Sequence, residues 1–149
     1  MIVKLTDALL GEHGAFRMLF STIEKLANTS GDLAQIEGAL AALTAEIRTH
    51  ATFEEEILFP ALLPFLEGDE LIAEIQAEHH EIRDGLKQIE NTQHIEHAVN
   101  AVRLTFAVTR QHFEKEEQVL YPLARQLLHE EALSGLGDAW AEARRMTIG

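Results

Sequence analysis

Two stretches of the chain carry the same chemistry at the same spacing. HATFEEEILFP at 50–60 and HFEKEEQVLYP at 112–122 share a histidine, a pair of glutamates, a leucine, an aromatic ring and a proline at identical offsets. A weaker repeat joins EHGAFR at 12–17 to EHHEIR at 78–83. The chain therefore reads as two helical hairpins, each supplying one lone histidine and one His-x-x-x-Glu. Residues four apart on a helix share a face, about 6 Å apart along the axis, so His50 projects with Glu54 and His112 with Glu116. Both pairs lie on apolar seams: Leu43, Ile47, His50, Glu54 and Leu58 follow one line. The seam Ile72, Ile75, Ile82, Leu86, Ile89 requires an inward residue at 79, where His79 stands, and Leu5, Leu9, Phe16 does the same for His13. Six ionisable groups thus converge in one interior. Burying them unpaired costs several kcal/mol each, and too few lysines or arginines lie on these seams to compensate. A metal cluster compensates.

The donor set narrows the metal. Four imidazoles supply four bonds and two bridging carboxylates four more, whereas two six-coordinate ions need about twelve. About four positions remain for a bridging oxo or hydroxo group and for exogenous ligands. Imidazole and carboxylate with open positions suit two iron ions best, with manganese or zinc as alternatives. A closed structural zinc site is four-coordinate and usually contains cysteine, and the chain has no cysteine. Open positions imply a small ligand such as O₂, NO, peroxide or water. No histidine has a glutamate three residues before it and no HExxH occurs, so the Glu-x-x-His pattern of ferritin-like bundles and the zinc-protease motif are both absent.

The elements that must position these groups are helical, because apolar residues recur at helical spacing and β-branched alternation is nearly absent. The spacing predicts a first helix over 4–28 with Leu5, Leu9, Phe16, Phe20, Ile23 and Leu26 inward. A second runs from about 32 towards 60 with Leu33, Ile36, Leu40, Leu43, Ile47 and Leu58 inward, kinked or stopped by Pro60 and Pro64. A third covers 69–91, and a fourth covers 93–128 through Val102, Phe106, Thr109, Val119 and Leu123, kinked at Pro122. A short fifth helix fits 130–146, with Trp140 against the bundle. Short connections imply an all-α, antiparallel up-down-up-down four-helix bundle in a single domain over 1–149.

Bulk properties exclude other classes. A formal net charge of -13 argues against nucleic acid or an anionic membrane as a partner, since both demand a basic face. No window reaches 18 uninterrupted apolar residues, and MIVKLTDALL lacks the pattern of a signal peptide. Without cysteine, disulfides, zinc fingers and iron–sulfur clusters are excluded, and a reducing, cytoplasmic compartment is expected. A monomer or homodimer is expected.

With these motifs in order at helix-length intervals, residues 5–128 resemble the hemerythrin-like proteins, also called HHE cation-binding domains. The resemblance implies His13, His50, Glu54, His79, His112 and Glu116 as metal ligands, with Glu54 and Glu116 bridging a non-haem di-iron centre. Oxygen-carrying hemerythrins have a fifth histidine four residues from the third-helix ligand, and an aspartate on the fourth helix. Here Ile75 and Arg83 flank His79 at that spacing and Glu116 replaces the aspartate. One imidazole fewer favours redox, peroxide or NO chemistry, sensing or iron handling over reversible O₂ carriage, and the first reading is a di-iron protein that binds or senses O₂, NO or peroxide. Peroxidase- or catalase-like turnover and an iron-responsive regulatory or storage module are the alternatives. Members that repair damaged iron centres carry a cysteine-bearing N-terminal segment, and no cysteine is present here.

The remaining polar residues are read more plainly. His80, rotated about 100° from His79, flanks the site, while His94, His97 and His129 are solvated near helix ends. Glu55, Glu56 and Glu117 read as a charged face, although Glu55 and Glu117 recur in both halves and stand where they can hydrogen-bond a ligand histidine. Phe59 and Tyr121 are packing residues. Arg17 and Arg83 either pair with carboxylates or line an entry path.

Overall fold

A computed structural model describes residues 3–144. The expected domain limits of 1 and 149, and the last two residues of the expected fifth helix, 145–146, lie outside the described residues. Five helices and no strand occur among the described residues. Helix α1 is Leu5–Thr29. Helix α2 begins as Leu33–Phe53, passes through a π-turn at Glu54–Leu58 and ends in the α-turn Phe59–Leu62. Helix α3 is Glu70–Asn91. Helix α4 repeats the form of α2: Ile95–Lys115, a π-turn at Glu116–Leu120, then Tyr121–Leu127. Helix α5, Glu130–Ala143, is the short C-terminal helix.

Local chemistry sets the breaks. After α1, Gly31 takes φ 64°, a left-handed conformation that costs glycine nothing and reverses the chain. Asp32 then caps α2, its carboxylate accepting the Ala34 N–H at 3.0 Å. The π-turns have a covalent cause. Proline at 60 and at 122 offers no N–H and collides with the carbonyl four residues back. The preceding turn widens in response, so Phe59 N–H bonds the Glu54 carbonyl and Tyr121 N–H bonds the Glu116 carbonyl. One extra residue per wide turn shifts the buried face downstream.

One expectation is corrected. Val119 is 46 % exposed and Leu120, four residues after Glu116 and so on its face, is fully buried, while the wide turn moves the next inward positions to 121 and 124 in place of 123. Leu123, Leu26 and Leu33 are half-buried, while Ala27 and Ile36 take the inward places beside the last two. The other expected core positions are buried.

Each of α1–α4 packs against two neighbours, closing a ring in the order α1, α2, α3, α4. The interior has two apolar cores. One contains Phe16, Phe20, Ile36, Leu40, Leu86 and Phe106; the other contains Leu5, Leu9, Leu58, Phe59, Ile75 and Leu120. Helix α5 lies along α1 with Trp140 against the second core. It comes so close to the segment before α1 that a Cβ on Gly137 would stand 1.8 Å from the Val3 carbonyl oxygen. Among the described residues no helix is long and apolar enough to cross a membrane.

Candidate metal centre

Between the two cores lies a layer of polar groups. The structure brings together all six residues singled out from the sequence: His13 on α1, His50 and Glu54 on α2, His79 on α3, His112 and Glu116 on α4. All six are buried, Glu54 and Glu116 completely. Their donor atoms form two groups that share Glu116. One comprises Glu54, His79, His112 and Glu116, the other His13, His50 and Glu116, each with ligand atoms within 4.8 Å of one another.

The geometry inside is convergent. Glu116 Oε1 lies 3.1 Å from His13 Nε2 and 3.2 Å from His112 Nε2. Glu54 Oε1 lies 3.3 Å from His79 Nε2 and 3.5 Å from His50 Nε2, and the His13 and His50 Nε2 atoms are 3.1 Å apart. Despite this crowding, Glu54 Oε1, His79 Nε2 and both oxygens of Glu116 make no hydrogen bond. Buried acceptors without partners are costly, and imidazole nitrogens converging with carboxylates are the donor set a divalent or trivalent cation takes. The residues fit the metal.

The outer nitrogens explain why all four Nε2 atoms point inward. Each ring directs Nδ1 outward to a carboxylate: His13 to Glu117 at 2.9 Å, and His50 to Glu12, His79 to Glu55 and His112 to Glu78 at 2.8 Å each. A carboxylate only accepts, so each Nδ1 carries the proton and donates, which leaves each Nε2 lone pair free in the neutral ring. Each carboxylate is held in turn by a cation. Arg17 bonds Glu117 at 2.7 Å, Arg83 bonds Glu55 at 3.0 Å, Lys115 bonds Glu78 at 2.6 Å and Arg144 bonds Glu12.

These contacts settle several expectations. Glu55 and Glu117 orient His79 and His13 rather than forming a plain charged face, and Glu56 is exposed. Arg17 and Arg83 pair with carboxylates. His80, His94, His97 and His129 are exposed. Four residues were missed. Glu12 and Glu78 carried a signal, since each precedes a lone histidine in the repeated EHxx(F/I)R. Lys115 and Arg144 have no counterpart at matching positions. Tyr121, expected to pack, is buried in the second core, but its hydroxyl donates to Glu54 Oε2 at 2.9 Å and lies 3.1 Å from His13 Nε2.

Electrostatics show how strongly the layer attracts positive charge. Burial alone would push His50 down, but Glu54, Glu116 and Glu12 lift it to about 10. His79 is likewise lowered by burial and lifted to about 10 by Glu116 and Glu54. His112 is raised by Glu116 against burial, whereas burial wins at His13 and lowers it. Burial, with Glu116 beside it, lifts Glu54 to about 7, while Glu116 itself, despite burial, is held well below the usual carboxylate range by Glu54 and the surrounding histidines. Without a cation, protons fill its place.

Comparison with curated proteins and with solved structures found no match. A family model described as the hemerythrin HHE cation-binding domain matches residues 4–124. That span covers α1 to the last turns of α4 and every one of the six convergent side chains. On that match, and with the buried histidine–glutamate layer that makes it a cation-binding domain, the chain belongs to the hemerythrin HHE family.

Proposed function

We propose that this chain holds two iron ions in the histidine–glutamate layer and binds a small molecule, O₂, NO or peroxide, at a position the protein leaves open. The observation that carries the reading is a cavity of about 10 Å³ bounded by the rings of His50, His79 and His112 and by Ile47, Ala51, Ile82 and Phe113. That space admits about one water-sized molecule, the scale of a diatomic or peroxide. Its walls are aliphatic and aromatic, with Arg48 and Arg83 beside them.

The residues divide the work. The four Nε2 atoms, Glu54 and Glu116 hold the ions, and iron, when bound, supplies reversible electron transfer and affinity for oxygen- and nitrogen-centred ligands. Glu12, Glu55, Glu78 and Glu117 fix ring orientation through Nδ1. The apolar walls exclude bulk water and restrict what reaches the ions.

Metal analysis of protein purified without added metal, followed by titration of the reduced protein with NO, O₂ and peroxide under a visible spectrum, tests the reading. About two irons per chain and a spectrum that changes on adding one of these ligands are expected. A spectrum indifferent to all three would overturn it. Catalytic loss of peroxide above that of free iron would shift the assignment to an enzyme.

A further inference from the structure

The two halves of the site differ at one position that touches the ligand atoms. In the second π-turn, the residue five after Glu116 is Tyr121; in the first, the residue five after Glu54 is Phe59. Phe59 lies parallel to the His79 ring, 6.1 Å between centroids, and brings no donor. Tyr121 is the only tyrosine in the chain. Its oxygen lies within hydrogen-bonding distance of two atoms from the convergent set, Glu54 Oε2 and His13 Nε2.

The direction of those contacts matters. His13 Nδ1 is committed to Glu117, so its Nε2 is the lone pair directed at the layer's centre. Glu54 divides its oxygens: Oε1 faces His79 and His50, and Oε2 faces Tyr121. A phenol has one proton for two acceptors, and its own lone pairs point into the same space. Its two contacts reach both groups, Glu54 in the group of four donors and His13 in the group of His13, His50 and Glu116, which has only three.

We propose that the Tyr121 oxygen is a seventh protein ligand, completing the ion held by His13, His50 and Glu116 and leaving the exogenous molecule to the ion held by His79 and His112. The inference rests on the di-iron reading above. On ligation the O–H bond breaks, an oxygen–metal bond forms, and the proton passes to solvent, as metal binding to protonated ligands requires. The widened turn is what makes this possible. On a regular α-turn a residue five after Glu116 would stand about 140° round the helix from it, and the ring at 121 would face away.

A single tyrosine makes the test direct. In iron-loaded, oxidised protein, a phenolate-to-iron charge-transfer band in the visible, with phenolate ring vibrations enhanced when that band is excited, can arise from Tyr121 alone. The band is expected at one phenolate per two irons, and Tyr121→Phe should abolish it while retaining both ions. Two bound ferric ions with no phenolate signature in the unsubstituted protein would overturn the proposal and leave the di-iron reading standing. Protein that binds no iron would overturn both. The measurement on the unsubstituted chain stands even if Tyr121→Phe fails to fold.

Discussion

The hairpin of α1 and α2 and the hairpin of α3 and α4 supply the same parts to the centre, yet they are finished differently. Each gives a lone histidine preceded by glutamate, a His-x-x-x-Glu-Glu and a π-turn ahead of proline. Each lone histidine is oriented by a glutamate from the other hairpin, Glu117 for His13 and Glu55 for His79, clamped by Arg17 and Arg83 at matching places. The paired histidines depart from this. Glu78, which orients His112, is held by Lys115 from the same helix as the histidine; Glu12, which orients His50, is held by Arg144, just past the end of α5. Tyr121 stands where the other hairpin has Phe59. The repeat thus builds a symmetric cradle, and unrepeated residues make its two places unequal.

Glu116 is the strongest lever on that comparison, because it belongs to both donor groups. Glu116→Ala should lose both ions, whereas His79→Ala should lose the ion of its own group and keep the other. Elemental analysis of the purified variants reads the difference, and one ion retained in Glu116→Ala would show that the two places are independent.

Metal removal acts next, and its effect depends on pH. Ligands present at 100 to 1,000 times Kd stabilise the native state by about 3–4 kcal/mol per site, which for a chain of this size corresponds to a Tm change on the order of 10 °C or more. In the metal-free protein His50 and His79 titrate near 10 instead of the ordinary 6.5. Their folded values exceed the unfolded ones, so their stabilisation is complete below 6.5 and disappears as pH rises from 6.5 to 10. Glu54, raised from 4.5 to about 7, gives a loss of the same sign between those values. Thermal melts of metal-free protein should therefore fall steadily across that alkaline range. The loaded protein, whose Nε2 atoms carry no protons, should not show that decline, and parallel curves for the two forms would contradict the assignment of Nε2 to the metal.

The smallest expected effect sharpens the symmetric part. Glu55→Gln and Glu117→Gln should each weaken metal binding by about 10–100-fold, each at the ion of the histidine it orients. Competition with a chelator measures both. Unequal losses would mean that the matching clamps are matched in geometry alone.

Much of this centre was legible because its residues violate a strong pattern. A histidine at 79 in a seam of isoleucines, or a glutamate at 54 between Ile47 and Leu58, has no reason to be there unless something inside needs it. Glu12 and Glu78 were equally visible, one step before the lone histidines, but their partners lie on a neighbouring helix and sequence spacing says nothing about that distance. Arg144 was invisible for the same reason in stronger form, since only the return of α5 along α1 brings it to Glu12. Leu120 was legible as the equivalent of Leu58, four residues after a buried glutamate, whereas Tyr121 and Ala124 took the inward places expected of Leu123 because helical periodicity assumes a constant turn, and the proline at 122 makes the turn before it wide. Tyr121 was half legible: its ring is indeed core, but its hydroxyl reaches Glu54 and His13 only because of that turn.

The polar layer also divides the apolar interior into two cores strung on the same four rods. Rods gripped by oil above and below, and by charge in between, have a girth at mid-height that is set by the charge balance of the layer. On the proposed di-iron reading, two cations would draw Glu54 and Glu116 together, and their loss would leave two carboxylates to repel unless protons arrive. Occupancy would thereby be converted into the spacing of helices, and the outer faces of α1–α4 would inherit that spacing along their length. Such a bundle would work as a gauge, in which the filling of a buried site is written on the outline of the molecule.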